Sequence, residues 1–315
     1  MEPLDRALAA PVPAHQHTPR KLDKALIAAR ADFSSARYTA LGAALPAILA
    51  TAEAARDRTT AGRARDHAHA AVARGYVLAT ELAVKHHSPT ASATSERALK
   101  SAHASGDPQV IAAAARMVAI SLRRAGQAAD ATQLLTRTAL ALDEAHRGDP
   151  PTAALDAKAV LLLTAGYSAA VAGSRGTALE LLDEAEETLR RITHAHHRHD
   201  GLFSHTATWA QCAMYRISSY TALRTPDEGI VYANRIEPFR LPTPERTARY
   251  LTDSGRMWHQ IGDGPRTYAA LRAIERAAPE ELRRPALRTL TTDLLHTPQH
   301  LPGIREFATR HGALA

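Results

Sequence analysis

Residues 160–190 read VLLLTAGYSAAVAGSRGTALELLDEAEETLR, and this stretch decides the fold. Two amphipathic helical patterns lie back to back in it, joined by a short Gly/Ser/Arg turn at Gly173–Gly176. Leu162, Ala165, Gly166 and Ala169 mark one face of the first helix; Ala178, Leu182 and Ala185 mark the facing side of the second. Gly166 and Ala178 remove bulk where two helices must approach, and larger residues a turn or two further on fill the groove between them.

The same order of small and large positions recurs on both sides. Upstream, Ala115, Val118, Ala119 and Leu122 precede Gly126, with Ala131 and Leu135 after it. Downstream, Leu251, Gly255, Trp258, Gly262, Thr267, Leu271 and Ile274 lead to Pro279, and a fainter copy runs through Ala213, Ile217, Tyr220, Gly229, Ala233 and Ile236. The pattern resembles the tetratricopeptide repeat (TPR), a helix–turn–helix unit of about 34 residues that stacks into a solenoid. Spacing between the copies is longer here, because segments such as Gly148–Ala153 and His194–Ser204 are inserted. The expected fold is all-α: a TPR-like right-handed α-solenoid of antiparallel helix pairs with a C-terminal helical cap.

Away from these copies the helical period begins at Leu22, with Ala25, Leu26 and Ala29 on one face. A second helix carries Tyr38, Leu41, Leu45, Ile48 and Leu49, with Pro46 expected to kink it; residues 60–87 form a long Ala-rich helix and 91–104 another. Residues 1–20, with Pro3, Pro11, Pro13 and Pro19, read as a flexible lead-in. The repeat array then spans 21–280. Residues 281–315 read as the capping pair, in which Leu287, Leu290, Leu294 and Leu295, then Ile304 and Phe307, cover the end of the last repeat.

Composition agrees. Hydrophobic residues make up 45% of the chain but aromatics only 4%, which suits small side chains packed between helices. The formal charge of +7 is carried mostly by dispersed Arg, since only five of 39 basic residues are Lys, so it marks no concentrated nucleic-acid face. Cys212 stands alone, and is expected beside Trp209 as an inert buried thiol in a reducing, cytoplasmic setting. No stretch is expected to reach the roughly 20 apolar residues of a membrane span, and no membrane association is anticipated.

Two segments carry a more specific likeness. ALRTLTTDLLHTPQHLPGIREFATRHGAL at 286–314 resembles the ending of TPR-bearing regulators of the actinobacterial XRE type, and RADFSSARYTALGAALPAILATAEAA at 30–55 resembles the start of their sensor region. In that family an N-terminal helix-turn-helix binds DNA and the TPR array senses a ligand or partner. The resemblance covers about residues 20–315 and implies the sensor part without a visible helix-turn-helix, so regulation would run through another protein.

Chemistry-bearing clusters are few. The segment HAHHRHD, with His194, His196, His197, His199 and Asp200, and His205 nearby, has metal-ligating side chains but reads better as a solvated cationic helix end. His67/His69 and His86/His87 are weaker pairs, and the acids Asp183, Glu184, Glu186 and Glu187 follow an exposed helix face. No nucleophile elbow, phosphate-binding glycine loop or HExxH motif occurs. The chain is therefore expected to be no enzyme, with no cofactor and no metal site. What remains is the concave surface lined by the first helix of each unit. The binding candidates there are Arg116, Ile120, Arg123, Tyr167, Met214, Ser218, Arg256 and His259, with Leu163, Gln211, Thr221 and Thr252 beside them. Arginines with Tyr and Met between them suit an acidic peptide or a regulatory protein. The alternative is a curved Arg-rich surface for nucleic acid; homodimerisation through a terminal repeat is a further expectation.

Overall fold

The computed structural model describes residues 18–192, 203 and 206–314. Among them are fourteen α-helices: α1 (Pro19–Ser34), α2 (Tyr38–Arg58), α3 (Gly62–Lys85), α4 (Ala91–Ser105), α5 (Pro108–Arg124), α6 (Ala128–Ala145), α7 (Thr152–Val171), α8 (Arg175–Arg190), α9 (Trp209–Ala222), α10 (Ile230–Ala233), α11 (Pro244–Ile261), α12 (Gly264–Ala277), α13 (Pro285–Leu294) and α14 (Ile304–Arg310). Short 3₁₀ turns at Pro226–Gly229, Pro238–Arg240 and Pro279–Arg283 join the later ones.

Neighbours in sequence pack as antiparallel pairs, α3 on α4, α5 on α6, α7 on α8 and α11 on α12. The expected close approach is present: a Cβ built on Gly166 would lie 2.8 Å from Leu182 Cγ and 3.1 Å from the Ala178 carbonyl. Ala178, Leu182 and Ala185 are all fully buried. The faint fourth copy has only half its helices. After α9 the chain makes a 3₁₀ turn and one turn of α10, and Gly229 sits under Met257 Sδ.

The odd-numbered helices also touch one another in series, α1 with α3, α3 with α5, and so on to α9 with α11. All six end in the same way. The amide of the residue after a left-handed position reaches back to a carbonyl five residues earlier: Arg37 to Asp32, Ser88 to Ala83, Gln127 to Leu122, Ser174 to Ala169, Thr225 to Tyr220 and Asp263 to Trp258, at 2.9–3.0 Å. This bond caps orphan carbonyls of the last turn. The left-handed residues are Gly126, Gly173 and Gly262 in three units, and Ala36, His87 and Arg224 in the others. Six units thus share one joint, two more than the small-residue pattern shows.

The series returns on itself. α11 contacts α1, and the Glu280 carboxylate accepts from the Thr39 backbone N–H and hydroxyl at 2.8 and 2.9 Å. One apolar cluster accordingly runs from Leu22 through Val77 and Met117 to Leu251, Leu287 and Phe307. A second, from Ala112 to Tyr215, holds the middle units together. In the C-terminal pair, Phe307 is fully buried with its ring edge-on to Tyr268 of α12 at 5.5 Å.

Two expectations need correcting. α7 and α2 are both as long and apolar as a membrane span, at mean hydropathies of 1.3 and 1.2. For α7 the cause is its central position, since 89% of its most apolar window is buried in the fold. Cys212 is buried, but Trp209 on the same helix stands half exposed.

Candidate functional site

The faces that α1, α3, α5, α7, α9 and α11 turn toward one another carry charge, which a helical protein seldom buries without pairing. Arg30, Glu81, Lys85, Arg116, Glu245, Arg246, Asp253 and Glu281 are all buried, and Arg284 nearly so. The local sequence explains their placement. Glu81 and Lys85 interrupt the apolar run of α3 one turn apart, and Arg246, Arg249, Asp253 and Arg256 form one stripe along α11. Thr243, whose hydroxyl accepts from the Arg246 N–H, starts α11 in the register that aims this stripe inward.

Four carboxylates anchor the network. Glu81 receives Arg30 Nη1 at 2.5 Å and has Arg116 Nη1 at 3.9 Å. Glu245 receives Lys85 Nζ at 2.6 Å and Arg246 Nε at 2.5 Å. Glu281 accepts from Lys85, from Tyr38 Oη and from Arg284 Nη1, the last at 2.6 Å. Asp253 receives Arg249 Nε at 2.6 Å. Burial alone would raise the pKa values of Glu245 and Glu281, but the adjacent cations outweigh it and hold both carboxyls well below the usual range.

Positive charge exceeds these anchors. Arg123 Nη1 donates to Ser168 Oγ at 3.0 Å and its guanidinium lies 4.7 Å from the centre of the Tyr167 ring, with no carboxylate beside it. Arg256 has no hydrogen bond or ion pair among the described residues; Asp253 is the only carboxylate whose field it feels strongly, and that group is already bonded to Arg249. Burial lowers the pKa of both guanidinium groups, with neighbouring arginines adding to it. Tyr215 reports the same field. Its burial opposes ionisation, yet Arg116 and Arg249, with hydrogen bonds to Thr164 and Arg116, bring the phenol down to about 8.

A half-open cavity of about 80 Å³ lies within this group, between Phe33 of α1, Glu81 and Lys85 of α3, Arg116 and Ile120 of α5, Glu245, Arg246 and Arg249 of α11, and Arg284. Arg116 is held by bonds from Nε to Thr164 Oγ1 at 3.0 Å and from Nη2 to Tyr215 Oη at 3.4 Å. A larger groove of about 580 Å³ lies over α2–α4, but its charges are mostly matched: Arg56 pairs with Asp57, Tyr76 Oη bridges Glu53 and Arg97, and Arg65 donates to backbone carbonyls.

Of the residues proposed from sequence, Arg116 and Ile120 line this cavity, while Arg123 stacks on Tyr167 and Arg256 lies near enough to feel the charges of Arg249 and Arg284. Met214 does not: it is 1% exposed in the apolar core, and Ser218 is buried beside it with its hydroxyl donated to the Met214 carbonyl. His259 points elsewhere, toward Asp293 of α13 at 3.7 Å. Leu163 and Thr252 are core residues, Gln211 accepts from Arg246 at 3.5 Å, and Thr221 bonds the Ile217 carbonyl. Asp183 and Glu186 are not merely solvating charges, since Arg216 binds both, at 2.5 and 2.7 Å. The segment His194–Asp200, with His205, lies outside the described residues. Missed from sequence were Arg30, Glu81, Lys85, Glu245, Arg246, Arg249, Asp253 and Arg284. Their signal was a charge inside an apolar run or a charged stripe at helical spacing.

Comparison with protein-family models, with curated proteins and with solved structures found no match. What stands is that the described residues form fourteen α-helices packed in sequential pairs.

Proposed function

We propose that this protein is a non-enzymatic binding module, a TPR-like right-handed superhelix that holds an acidic peptide or protein segment against its interior arginines. The serial contacts of the odd helices and their shared C-terminal joint support the repeat reading. The observation that carries the function is the excess of interior guanidinium groups over carboxylates, with Arg123 and Arg256 left without an acidic partner of their own among the described residues. Both are half-buried, so their charge is only partly solvated, and a guanidinium offers a fork that fits carboxylate oxygens. In the resemblance to XRE-type regulators, such binding would serve cytoplasmic control of transcription through a partner protein.

Nucleic acid is the second reading. The interior placement of the cations favours a narrow acidic chain over a duplex, which presents its phosphates on a broad outer surface. The test is an affinity pull-down from host lysate with and without nuclease, using the native chain and the Arg123→Ala/Arg256→Ala variant. A nuclease-resistant protein or peptide lost from the variant is the expected result. Recovery of nucleic acid that is released by nuclease and by high salt would refute it.

A further inference from the structure

The cavity between α1, α3, α5 and α11 has a charge balance and size that narrow its ligand. Five cationic side chains reach its wall, Lys85, Arg116, Arg246, Arg249 and Arg284, against the two carboxylates of Glu81 and Glu245. Those two acids are already occupied, Glu81 by Arg30 and Glu245 by Lys85 and Arg246. Glu281 and Asp253 likewise hold Arg284 and Arg249. Arg116 is the least compensated, with its nearest carboxylate oxygen at 3.9 Å and its other bonds made to neutral hydroxyls. Arg256 adds a further charge next to Arg249 and Arg284.

A single carboxylate would neutralise only part of this excess. Water can enter a polar cavity of about 80 Å³ but would neutralise none of the charge. A phosphoryl group is compact, carries about −1.5 to −2 charge near neutrality and offers three strong acceptor oxygens. Guanidinium groups bind it in the same bidentate fashion as carboxylate, and Arg is favoured over Lys wherever that geometry is required. Phe33, Val84, Met117 and Ile120 close the remaining wall with apolar surface, which excludes water and strengthens the attraction.

We propose that this cavity is a phosphoryl-binding site, taking inorganic phosphate or the phosphate group of a small phosphomonoester. The proposal rests on the reading of the interior as a ligand site and adds the chemical class of what enters it. Bound there, the anion would bridge α5 to α11 across the interior, so ligand binding and the closure of the array would stabilise each other.

Isothermal titration with inorganic phosphate, O-phosphoserine, acetate and a hexa-glutamate peptide tests this. Inorganic phosphate is expected to bind more tightly than acetate, and Arg116→Met is expected to weaken it about tenfold or more. Arg256→Met is expected to weaken it by about threefold, acting through charge at longer range. Should Arg116→Met fail to fold, Arg256→Met still carries the test, because Arg256 makes no hydrogen bond or ion pair among the described residues; its variant should be at least as stable as the native chain without ligand. Binding of phosphoserine together with phosphate marks a site open to monoesters, and binding of phosphate alone marks the free ion; both support the site. Phosphate that binds no better than acetate, or whose affinity neither variant changes, overturns it. If hexa-glutamate binds and phosphate neither binds nor competes, the phosphoryl assignment fails while the acidic-peptide reading stands.

Discussion

Replacing Glu281 by alanine removes the carboxylate that Lys85, Arg284 and Tyr38 share. The site is fully buried, so the groups it leaves behind are not returned to bulk solvent. Arg284 loses its ion-pair partner, and the Tyr38 hydroxyl loses its acceptor. Lys85 is spared the full loss because Glu245 still holds it at 2.6 Å. Breaking a buried pair by deleting one member costs about 3–5 kcal/mol, and the retained Lys85–Glu245 contact places the expected loss near the lower end, about 3 kcal/mol. That is a large part of the 5–15 kcal/mol by which a typical domain is stable, roughly a fifth to three fifths. Urea unfolding followed by far-UV circular dichroism measures it, with Glu280→Ala as the control: Glu280 is partly exposed, and its loss is expected to cost under about 1 kcal/mol. A Glu281→Ala cost below about 1 kcal/mol would refute the reasoning. The pH dependence has a definite sign. Glu245 and Glu281 titrate below their unfolded values, so the stability they contribute is complete above about pH 4.3 and is lost as pH falls from there toward their folded pKa values. Glu281→Ala should flatten that acid limb.

His87→Gly and Arg224→Gly relieve left-handed backbone at φ 58 and 65, and each is expected to raise stability by up to about 1 kcal/mol in thermal or urea unfolding. Gly166→Ala places a methyl 2.8 Å from Leu182 Cγ and is expected to cost about 1–3 kcal/mol, whereas Gly176→Ala meets nothing within 4 Å and should be neutral or slightly stabilising. Spectrophotometric titration should show one tyrosine ionising near pH 8, absent from Tyr215→Phe and displaced upward in Arg116→Met, because burial would then prevail over the reduced positive field.

The helical pairs were legible where glycine or alanine had to stand at a close approach. At Gly166, opposite Ala178, even a Cβ would press into Leu182, and at Gly255 a Cβ would meet that of Ala270 at 3.4 Å, leaving room for little more than a methyl. The first two pairs, inside the expected array, carry no copy of the small-residue pattern for a specific reason. Their joints use Ala36 and His87 in the left-handed conformation that glycine normally signals, and Arg224 hides a third joint in the same way. The interior site was legible only in part. Arg116, Arg123 and Arg256 followed from helical register, but Met214 and Ser218 did not fit, because α9 is buried on nearly every side. Nor does any local pattern place Lys85 beside Glu281, since that contact spans 196 residues and exists only once the last units meet the first.

That meeting changes how the molecule should come apart. In a linear repeat array each unit leans only on its neighbours, so the two ends loosen first and amide exchange quickens toward them. Here the outermost units are one another's neighbours through Thr39–Glu280, Tyr38–Glu281 and the contact of α11 with α1. A hoop has no free end from which to unzip. Amides of α1–α3 and α11 should therefore exchange as slowly as those of α7, and the weakest place in the circuit should be where a helix is missing, at the single turn of α10.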